Sequence, residues 1–178
     1  ALMELGALVC TPAVPACERC PLARRCRAHR HGWQDQIPYK AAVPRVEEVR
    51  EVAVALRRRR QVLLVQRPDG GRWAGMLELP RCAVPARVAP RKVAVQMLDE
   101  LGLEANIGPE LATLRHSVTR FRITLVCLEA EWRRGTFRPG TYPAGRWVAP
   151  AQLSDFPLSR PQRRLAELLR QPRPVRLF

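Results

Sequence analysis

The sequence has few acidic residues, and it has no long hydrophobic run. Its 178 residues contain 16 Asp and Glu against 31 Lys and Arg, which gives a net charge of +15. No apolar stretch reaches the roughly 18–20 residues that a membrane-spanning helix needs. The first residues, ALMELGALVC, have neither the basic start nor the small-residue cleavage site of a signal peptide. We therefore expect a soluble intracellular protein.

Lysine is almost missing from this basic chain. Only Lys40 and Lys92 are lysines among the 31 basic residues. Excess positive charge favours a nucleic acid as partner, because each neutralised phosphate releases counterions. The arginine bias has a second interpretation, which is the base composition of the genome. The run Arg57–Arg60 is expected to be a charged hairpin tip, and a DNA-facing turn is the alternative.

Four of the six cysteines lie within seventeen residues. Cys10, Cys17, Cys20 and Cys26 are spaced C-x6-C-x2-C-x5-C. Disulfides are rare in the cytosol, so a tight group predicts a metal site. Four thiolates can bind one zinc ion or an iron–sulfur cluster. One C-x2-C flanked by single cysteines favours a loop wrapped around a cluster, whereas zinc ribbons usually have two such pairs. Zinc and purely structural thiols remain as alternatives.

Arginines accompany these cysteines, at Arg19, Arg24 and Arg25. A loop that a metal holds rigid can direct guanidinium groups at phosphates. We predict that these three residues contact a nucleic-acid backbone, and the alternative is a solvated rim. Cys82 and Cys127 lie far from the group and are expected to be structural. Cys127 falls in RITLVCLEA, an alternating strand pattern in which a free thiol behaves as a small core residue.

The first 27 residues resemble the end of the catalytic domain of adenine DNA glycosylases of the MutY type. ALMELGALVCTPAVPACERCPLARRC has the helix and the cysteine spacing that hold a [4Fe-4S] cluster in that family. QIPYKAAVPRVEEVRE resembles the interdomain connector of the family. GGRWAGMLELP, LRHSVTRFRITL and GRWVAPAQLSDFPLSRPQRRLAELL resemble its Nudix-like C-terminal domain. Endonuclease III relatives share the cysteine spacing but typically end soon after it.

The resemblance implies a base-excision-repair enzyme that removes adenine mispaired with 8-oxoguanine or guanine. The family flips the adenine into a pocket, protonates it with a glutamate and stabilises the sugar cation with an aspartate. Both acids are expected upstream of Ala1, where a longer parent has been cut within a helix, and no residue here matches them. We therefore expect this chain alone to be inactive. The implied partner is double-stranded DNA containing A opposite 8-oxoguanine. We expect a monomer in the bacterial cytoplasm, associated with the nucleoid.

The remaining chain predicts an α/β fold. Alternating apolar residues from residue 50 onwards predict a hairpin, and helices are predicted at 90–101 and at RPQRRLAELLR. The order β–β–β–α–β–β–α indicates a Nudix-like mixed β-sheet sandwiched by helices, preceded by a short helical iron–sulfur cluster loop. The predicted organisation is the cluster loop at 1–27, a connector at 28–48, the Nudix-like 8-oxoguanine-recognition domain at 49–172 and a basic tail at 173–178.

The predicted helix lacks part of the hydrolytic pattern of Nudix enzymes. That pattern, R-E-x-x-E-E-x-G, supplies carboxylates for Mg²⁺ bound to a pyrophosphate. Here Val95 and Gln96 replace the arginine and the first glutamate, while Asp99 and Glu100 remain. We expect a Nudix fold without Nudix activity, in which Asp99 and Glu100 are solvated surface acids. The alternative is an active nucleotide pyrophosphohydrolase with a zinc or iron–sulfur appendage.

One further segment resembles the loop with which the glycosylases recognise 8-oxoguanine, H-x-F-[S/T]-H. It reads His116-Ser117-Val118-Thr119-Arg120. Val118 replaces an aromatic residue, so insertion between bases should weaken, and Arg120 replaces a histidine. The resemblance implies that Ser117, Thr119 and Arg120 contact the DNA at the damaged base. An ordinary hairpin turn is the alternative.

Overall fold

A computed structural model describes residues 2–37, 45–70 and 73–171 of the chain. The chain divides into two compact units, Ala1–Pro44 and Arg45–Phe178. This division falls inside the predicted connector, of which residues 38–44 lie outside the described residues. The predicted basic tail and two residues of GGRWAG also lie outside them. None of the described helices has the length and apolar character needed to cross a membrane.

The first unit is a short helical segment interrupted by loops. Helix α1, Leu2–Leu8, confirms the helix predicted at the start of the chain. Three prolines then disfavour a continuous helix, and the cysteine segment makes two 3-10 turns, Cys17–Arg19 and Ala23–Arg25. Helix α2, Arg27–His31, ends at Gly32, whose φ of 68° is the left-handed conformation that terminates many helices.

The second unit is built on a seven-stranded mixed sheet. Its strands are β1 (Glu47–Arg58), β2 (Gln61–Gln66), β3 (Leu77–Glu78), β4 (Arg81–Ala83), β5 (Leu103–Val118), β6 (Phe121–Gly135) and β7 (Gly145–Val148). The order is β3-β2-β1-β6-β5, while β4 pairs with β1 and β7 pairs with β2. Strands β1 and β6 are parallel, and the other pairs are antiparallel. The predicted mixed sheet and the predicted β1–β2 hairpin are confirmed.

Helices cover both faces of this sheet. They are α3 (Pro90–Glu100) and α4 (Arg160–Arg170). Alternate residues of a strand point to opposite faces, and in β1 both sets are fully buried. Val52, Val54 and Leu56 pack in the core that contains α3, whereas Ala53 and Ala55 pack in the core that contains α4. The expected sandwich of sheet and helices is therefore confirmed.

Helix α3 differs in detail from the predicted one. Pro90 occupies its first turn, as expected, and the helix is followed by Gly102 with a φ of 73°. Met97 and Leu101 are buried in the core. Ala94 and Leu98 are buried as well, and Val93 is only partly buried. Strands β4 and β7 are absent from the predicted order, because three or four residues carry too short an alternation to be recognised.

Two arginines of the run Arg57–Arg60 have structural contacts. The Nη2 atom of Arg57 donates to the carbonyl of Leu169, near the end of α4, at 3.4 Å. The guanidinium of Arg58 lies 4.6 Å from the centre of the Trp132 ring and 5.6 Å from that of Trp147, which is within cation–π range. The other two arginines form the exposed turn between β1 and β2. The expectation of a charged hairpin tip therefore holds for these two.

Candidate functional site

The four grouped cysteines line one small cavity in the first unit. Its volume is about 30 Å³, and the cavity is lined by Val9, Cys10, Pro15, Ala16, Cys17, Cys20, Ala23, Cys26 and His29. The two 3-10 turns position the last three cysteines, because Cys17 begins the first turn, Cys20 follows it and Cys26 follows the second. The fold thus brings together all four predicted cluster ligands.

The arrangement of the thiols bears on what they can bind. The pKa of Cys17 is raised above its ordinary value, first by desolvation and then by the negative charges of Cys10, Cys26 and Cys20. Within the described residues, no group of three His, Cys, Asp or Glu side chains is placed to hold a single metal ion. Four thiols around one cavity are a ligand set that suits either a tetrahedral zinc ion or an iron–sulfur cluster.

The arginines predicted to contact DNA surround these cysteines. Arg19 ends the first 3-10 turn, and Arg24 and Arg25 lie in the second. All three are exposed, and no ion pair found among the described residues includes them. Their guanidinium groups are therefore accessible to an anion. Anything that fixes the two 3-10 turns also fixes the positions of these charges.

A second cavity lies in the other unit, between β5, α4 and the loop before β3. Its volume is about 360 Å³, and it is lined by Trp73, Leu114, Arg115, His116, Ser117, Val118, Arg160, Pro161 and Arg164. The rings of Trp73 and His116 are 6.4 Å apart between centres and inclined by 44°. The three arginines are exposed. Aromatic faces combined with guanidinium groups suit a nucleotide, which has a flat base and a negative phosphate.

A buried ionic network lies beside this cavity. Glu78, which is 2% exposed, accepts hydrogen bonds from Arg67 Nη1 at 2.8 Å and from Arg81 Nε at 2.8 Å. Arg81 also forms an ion pair with Glu51. The hydroxyl of Tyr142 donates to the carbonyl of Arg81 at 2.6 Å and accepts from its backbone N–H at 3.0 Å. Two carboxylates thus balance two guanidinium groups inside the domain.

The network also contacts the aromatic wall of the cavity. The guanidinium carbons of Arg67 and Arg81 lie 5.9 and 5.3 Å from the centre of the Trp73 ring. Trp73 has a φ of 58°, which is unusual for a bulky residue, and these contacts stabilise its placement. Burial, followed by the charge of Glu78, raises the pKa of Tyr142 well above its usual range, so its hydroxyl stays protonated.

The structure separates the three residues predicted to contact the damaged base. Ser117 lines the cavity, whereas Thr119 and Arg120 form the turn between β5 and β6. The Thr119 hydroxyl donates to the carbonyl of Val118 at 2.7 Å, and Thr119 has a φ of 51°. Arg120 Nε lies 2.9 Å from a carboxylate oxygen of Glu47, and both side chains are about half exposed. Arg120 therefore forms an ion pair within the domain. Solvent-exposed ion pairs such as this one contribute little to stability.

Four polar or aromatic cavity residues were missed in the analysis of the sequence, namely Trp73, Arg115, Arg160 and Arg164. Trp73 belongs to the segment GGRWAGMLELP, but nothing in this segment indicates what the indole faces. Arg160 precedes Pro161 and Arg164 precedes Leu165 in α4, and the apolar periodicity shows only which side of the helix is buried. A signal for them was present, since α4 carries several arginines on its polar side.

The helix that would carry Nudix chemistry has its acids at the surface. Asp99 and Glu100 are exposed, as expected. The Nε2 atom of Gln96 donates to Glu100 Oε1 at 3.0 Å, so an amide lies where the hydrolytic pattern has a carboxylate. Val95, at the arginine position, is 43% exposed. This helix therefore presents fewer hard oxygen ligands than Mg²⁺ chemistry on a pyrophosphate needs.

Comparison with known proteins gives two kinds of relative. The family model described as NUDIX domain matches residues 51–168. The adenine DNA glycosylase of Rattus norvegicus is 25% identical over 83% of the chain and 38% of its own length. The CTP pyrophosphohydrolase of Escherichia coli is 29% identical over 61% of the chain and 81% of its own length. The chain thus spans well under half the length of the glycosylases that it matches.

A solved structure is also similar to the chain. It is the complex between the C-terminal domain of mouse MUTYH and human PCNA, whose matched chain superposes with a TM-score of 0.55 at 22% identity. The match covers 68% of the present chain and 87% of that chain. At this identity the similarity supports the fold.

Proposed function

Because the chain belongs to the NUDIX domain family over residues 51–168, and resembles adenine DNA glycosylases beyond it, we propose a role in base-excision repair. The chain is the C-terminal portion of a glycosylase that removes adenine mispaired with 8-oxoguanine or guanine. The carrying observation is the cavity that the four cysteines share. The match to the rat glycosylase covers 83% of the chain. The second unit, Arg45–Phe178, makes up about three quarters of the chain. The match is longer than that unit, so it must include residues of the first unit as well.

In this proposal the first unit binds the DNA backbone. Cys10, Cys17, Cys20 and Cys26 are the residues that would hold a [4Fe-4S] cluster, and the bound cluster would serve as a rigid cross-link of the loop. The chain's own contribution is to place guanidinium groups on the two 3-10 turns, from which they contact phosphate oxygens. The acids that cleave the glycosidic bond belong to the upstream domain of the parent, so the chain alone does not catalyse the reaction.

The second unit reads the damaged base. Oxidation at C8 changes N7 of guanine from an acceptor to an N–H donor, while N7 is an acceptor in the ordinary base. The hydroxyl of Ser117, at the 360 Å³ cavity, is able to accept from that N–H. Trp73 offers an aromatic face on the same cavity, against which a base can stack. The partner is accordingly double-stranded DNA, encountered inside the cell.

Replacing Ser117 with alanine tests the role of the cavity in reading the base. We expect the wild-type chain to bind a duplex with A opposite 8-oxoguanine more tightly than one with A opposite guanine. The variant should lose about 2–10-fold of this preference, as expected for one hydrogen bond, and should bind the undamaged duplex as before. Fluorescence anisotropy with labelled duplexes measures both affinities.

The control for this experiment is Ser154→Ala. Ser154 is an exposed serine in the 3-10 helix Pro150–Asp155, and it does not line the cavity. This variant should keep the full preference for the damaged duplex. If the wild-type chain binds damaged and undamaged duplexes equally, the base-reading role is wrong.

Nucleotide pyrophosphohydrolysis is the second candidate function. The similarity to the CTP pyrophosphohydrolase of Escherichia coli favours it. The exposed valine and the amide at positions 95 and 96 count against it. With nucleoside triphosphates and Mg²⁺, we expect pyrophosphate release at least about 100-fold slower than by that enzyme assayed in parallel. Comparable rates would make the hydrolase the better assignment.

A further inference from the structure

The exposed side of α4 carries four arginines. Arg160, Arg163, Arg164 and Arg170 are all exposed, and the only acidic residue in the helix is Glu167. Because residues three and four apart are neighbours on a helix, these guanidinium groups lie on one side. We call these four residues the arginine face. The arginine face concentrates positive charge on the second unit. It is distinct from the arginines of the cysteine loop, which belong to the first unit.

The helix beneath the arginine face is firmly anchored. Leu165 and Leu169 point the other way and are at most 2% exposed. Gln162, which is also buried, accepts a hydrogen bond from the backbone N–H of Leu79 at 3.1 Å. Because the helix is fixed, the Cα and Cβ atoms of these long side chains keep constant positions. The arginine face is therefore a surface of defined geometry rather than a set of loosely placed charges.

No ion pair found among the described residues includes a member of the arginine face, and Glu167, which neighbours Arg163, Arg164 and Arg170 on the helix, is the one acid of α4. The ion pairs found among the described residues use other arginines, namely Arg67, Arg81, Arg120, Arg122 and Arg134. Within the arginine face, Arg163 Nε donates to the carbonyl of Leu158 at 3.2 Å. That contact orients one guanidinium group through a neutral carbonyl, so the group keeps its positive charge. The face is thus complementary to a partner rich in negative charge.

The arginine face continues into the cavity of the second unit. Arg160 and Arg164 line that cavity together with Arg115 of β5, on the same cavity as Trp73 and Ser117. A base seated in the cavity is covalently linked to phosphates on both sides. Those phosphates must lie near the rim, where the arginines are. The position of the charges therefore matches a nucleic-acid strand better than it matches an unrelated acidic surface.

We propose that the arginine face binds the phosphate backbone of the DNA strand whose base enters the cavity. This inference rests on the proposed function, and it adds a backbone contact that fixes how the strand lies across the domain. Arg160 and Arg164 contact the phosphates beside the seated base, while Arg163 and Arg170 extend the contact along the helix. Contacts of this kind position a nucleic acid and carry no sequence information themselves.

The other dense arginine cluster of this unit serves the fold instead. In the run Arg57–Arg60, Arg57 donates to the carbonyl of Leu169, and Arg58 stacks against Trp132 and Trp147. The two arginines of the turn do not line the cavity. The DNA-facing turn, which was the alternative interpretation of this run, is thus the weaker candidate, and its two exposed arginines provide a matched control.

The test compares two double variants of the 178-residue chain, each of which removes two positive charges. In the first, Arg160→Gln is combined with Arg164→Gln. In the second, Arg59→Gln is combined with Arg60→Gln. Binding to duplexes with A opposite 8-oxoguanine or guanine is measured by fluorescence anisotropy from low to moderate salt. Circular dichroism checks that both variants remain folded.

We expect the first variant to bind both duplexes more weakly by a similar factor. The slope of log affinity against log salt should become less negative by about 1.8, since each lost phosphate contact removes about 0.9. The preference for 8-oxoguanine should persist, and the control variant should keep nearly the wild-type slope. An unchanged slope in the first variant, with the damaged-base preference intact in the wild type, would overturn the inference and leave the proposed function standing. Absence of duplex binding by the wild type would overturn both.

Discussion

Replacing Glu78 with alanine is expected to lower the free energy of unfolding by about 3–5 kcal/mol. Glu78 is 2% exposed and accepts hydrogen bonds from Arg67 and Arg81, both held within the domain. Removing the carboxylate leaves these two guanidinium groups with less negative charge to balance them, at a position that water solvates poorly. Truncation of one partner is costly for that reason, even though an intact buried pair contributes little net stability.

Chemical denaturation followed by circular dichroism measures this change. Glu48→Ala is the matched control, since Glu48 pairs with Arg122 at 2.7 Å and both side chains are more than 60% exposed. Its removal should not shift the midpoint measurably, because exposed pairs are screened by water and salt. If Glu78→Ala unfolds at the same denaturant concentration as the control, the network does not stabilise the domain.

The Glu78 network also shows where inference from sequence ends. Glu51, Glu78 and Arg81 come from β1, β3 and β4, and Arg67 directly follows β2, so these charged members are joined only when the sheet forms. Nothing about Glu78 in the pattern MLELP distinguishes a buried acid from a solvated one. Strand alternation places a side chain on one face of a sheet, but both faces are covered here, so the alternation does not predict exposure.

Features that depend on nearby residues were predictable. The cysteines lie within seventeen residues, so their spacing alone indicates a shared site. The 3.6-residue period of α4 and the alternation of β1 identified both elements, because each period reports burial of a regular element. Helix α3, predicted at 90–101, likewise has local signals at both ends, Pro90 in its first turn and Gly102 after its end.

The second cavity was beyond prediction for the opposite reason. Trp73, Ser117 and Arg160 are each more than forty residues apart in the chain, and only the packing of β5 and α4 around the loop before β3 brings them together. Similarly, the pair between Arg120 and Glu47 depends on the parallel pairing of β1 with β6. The motif comparison assigned Ser117 and Arg120 to one DNA contact. In the structure Ser117 lines the cavity, whereas Arg120 lies in the hairpin turn and pairs with Glu47.

The second large effect concerns the cysteine loop. Freshly purified, oxygen-protected protein is expected to be brown and to contain iron and sulfide, and Cys20→Ser should lower the iron content at least about tenfold. The reason is that Cys20 lines the same cavity as the three other cysteines, and a hydroxyl is a poor replacement for a soft thiolate ligand. Metal and sulfide analysis measures the loss.

Cys82→Ser provides the control for the cysteine experiment. Cys82 is half-buried in the second unit and does not line the cavity of the four grouped cysteines, so it should not contribute a ligand. This variant should retain its iron. Loss of iron only from Cys20→Ser, together with a less negative salt slope for DNA binding, would connect the cluster to the arginines of its loop. A folded wild-type chain with zinc and no sulfide would instead support the zinc alternative. A folded chain with no metal would leave the four thiols as structural residues, and the phosphate-gripping role of Arg19, Arg24 and Arg25 would lose the rigid loop on which it depends.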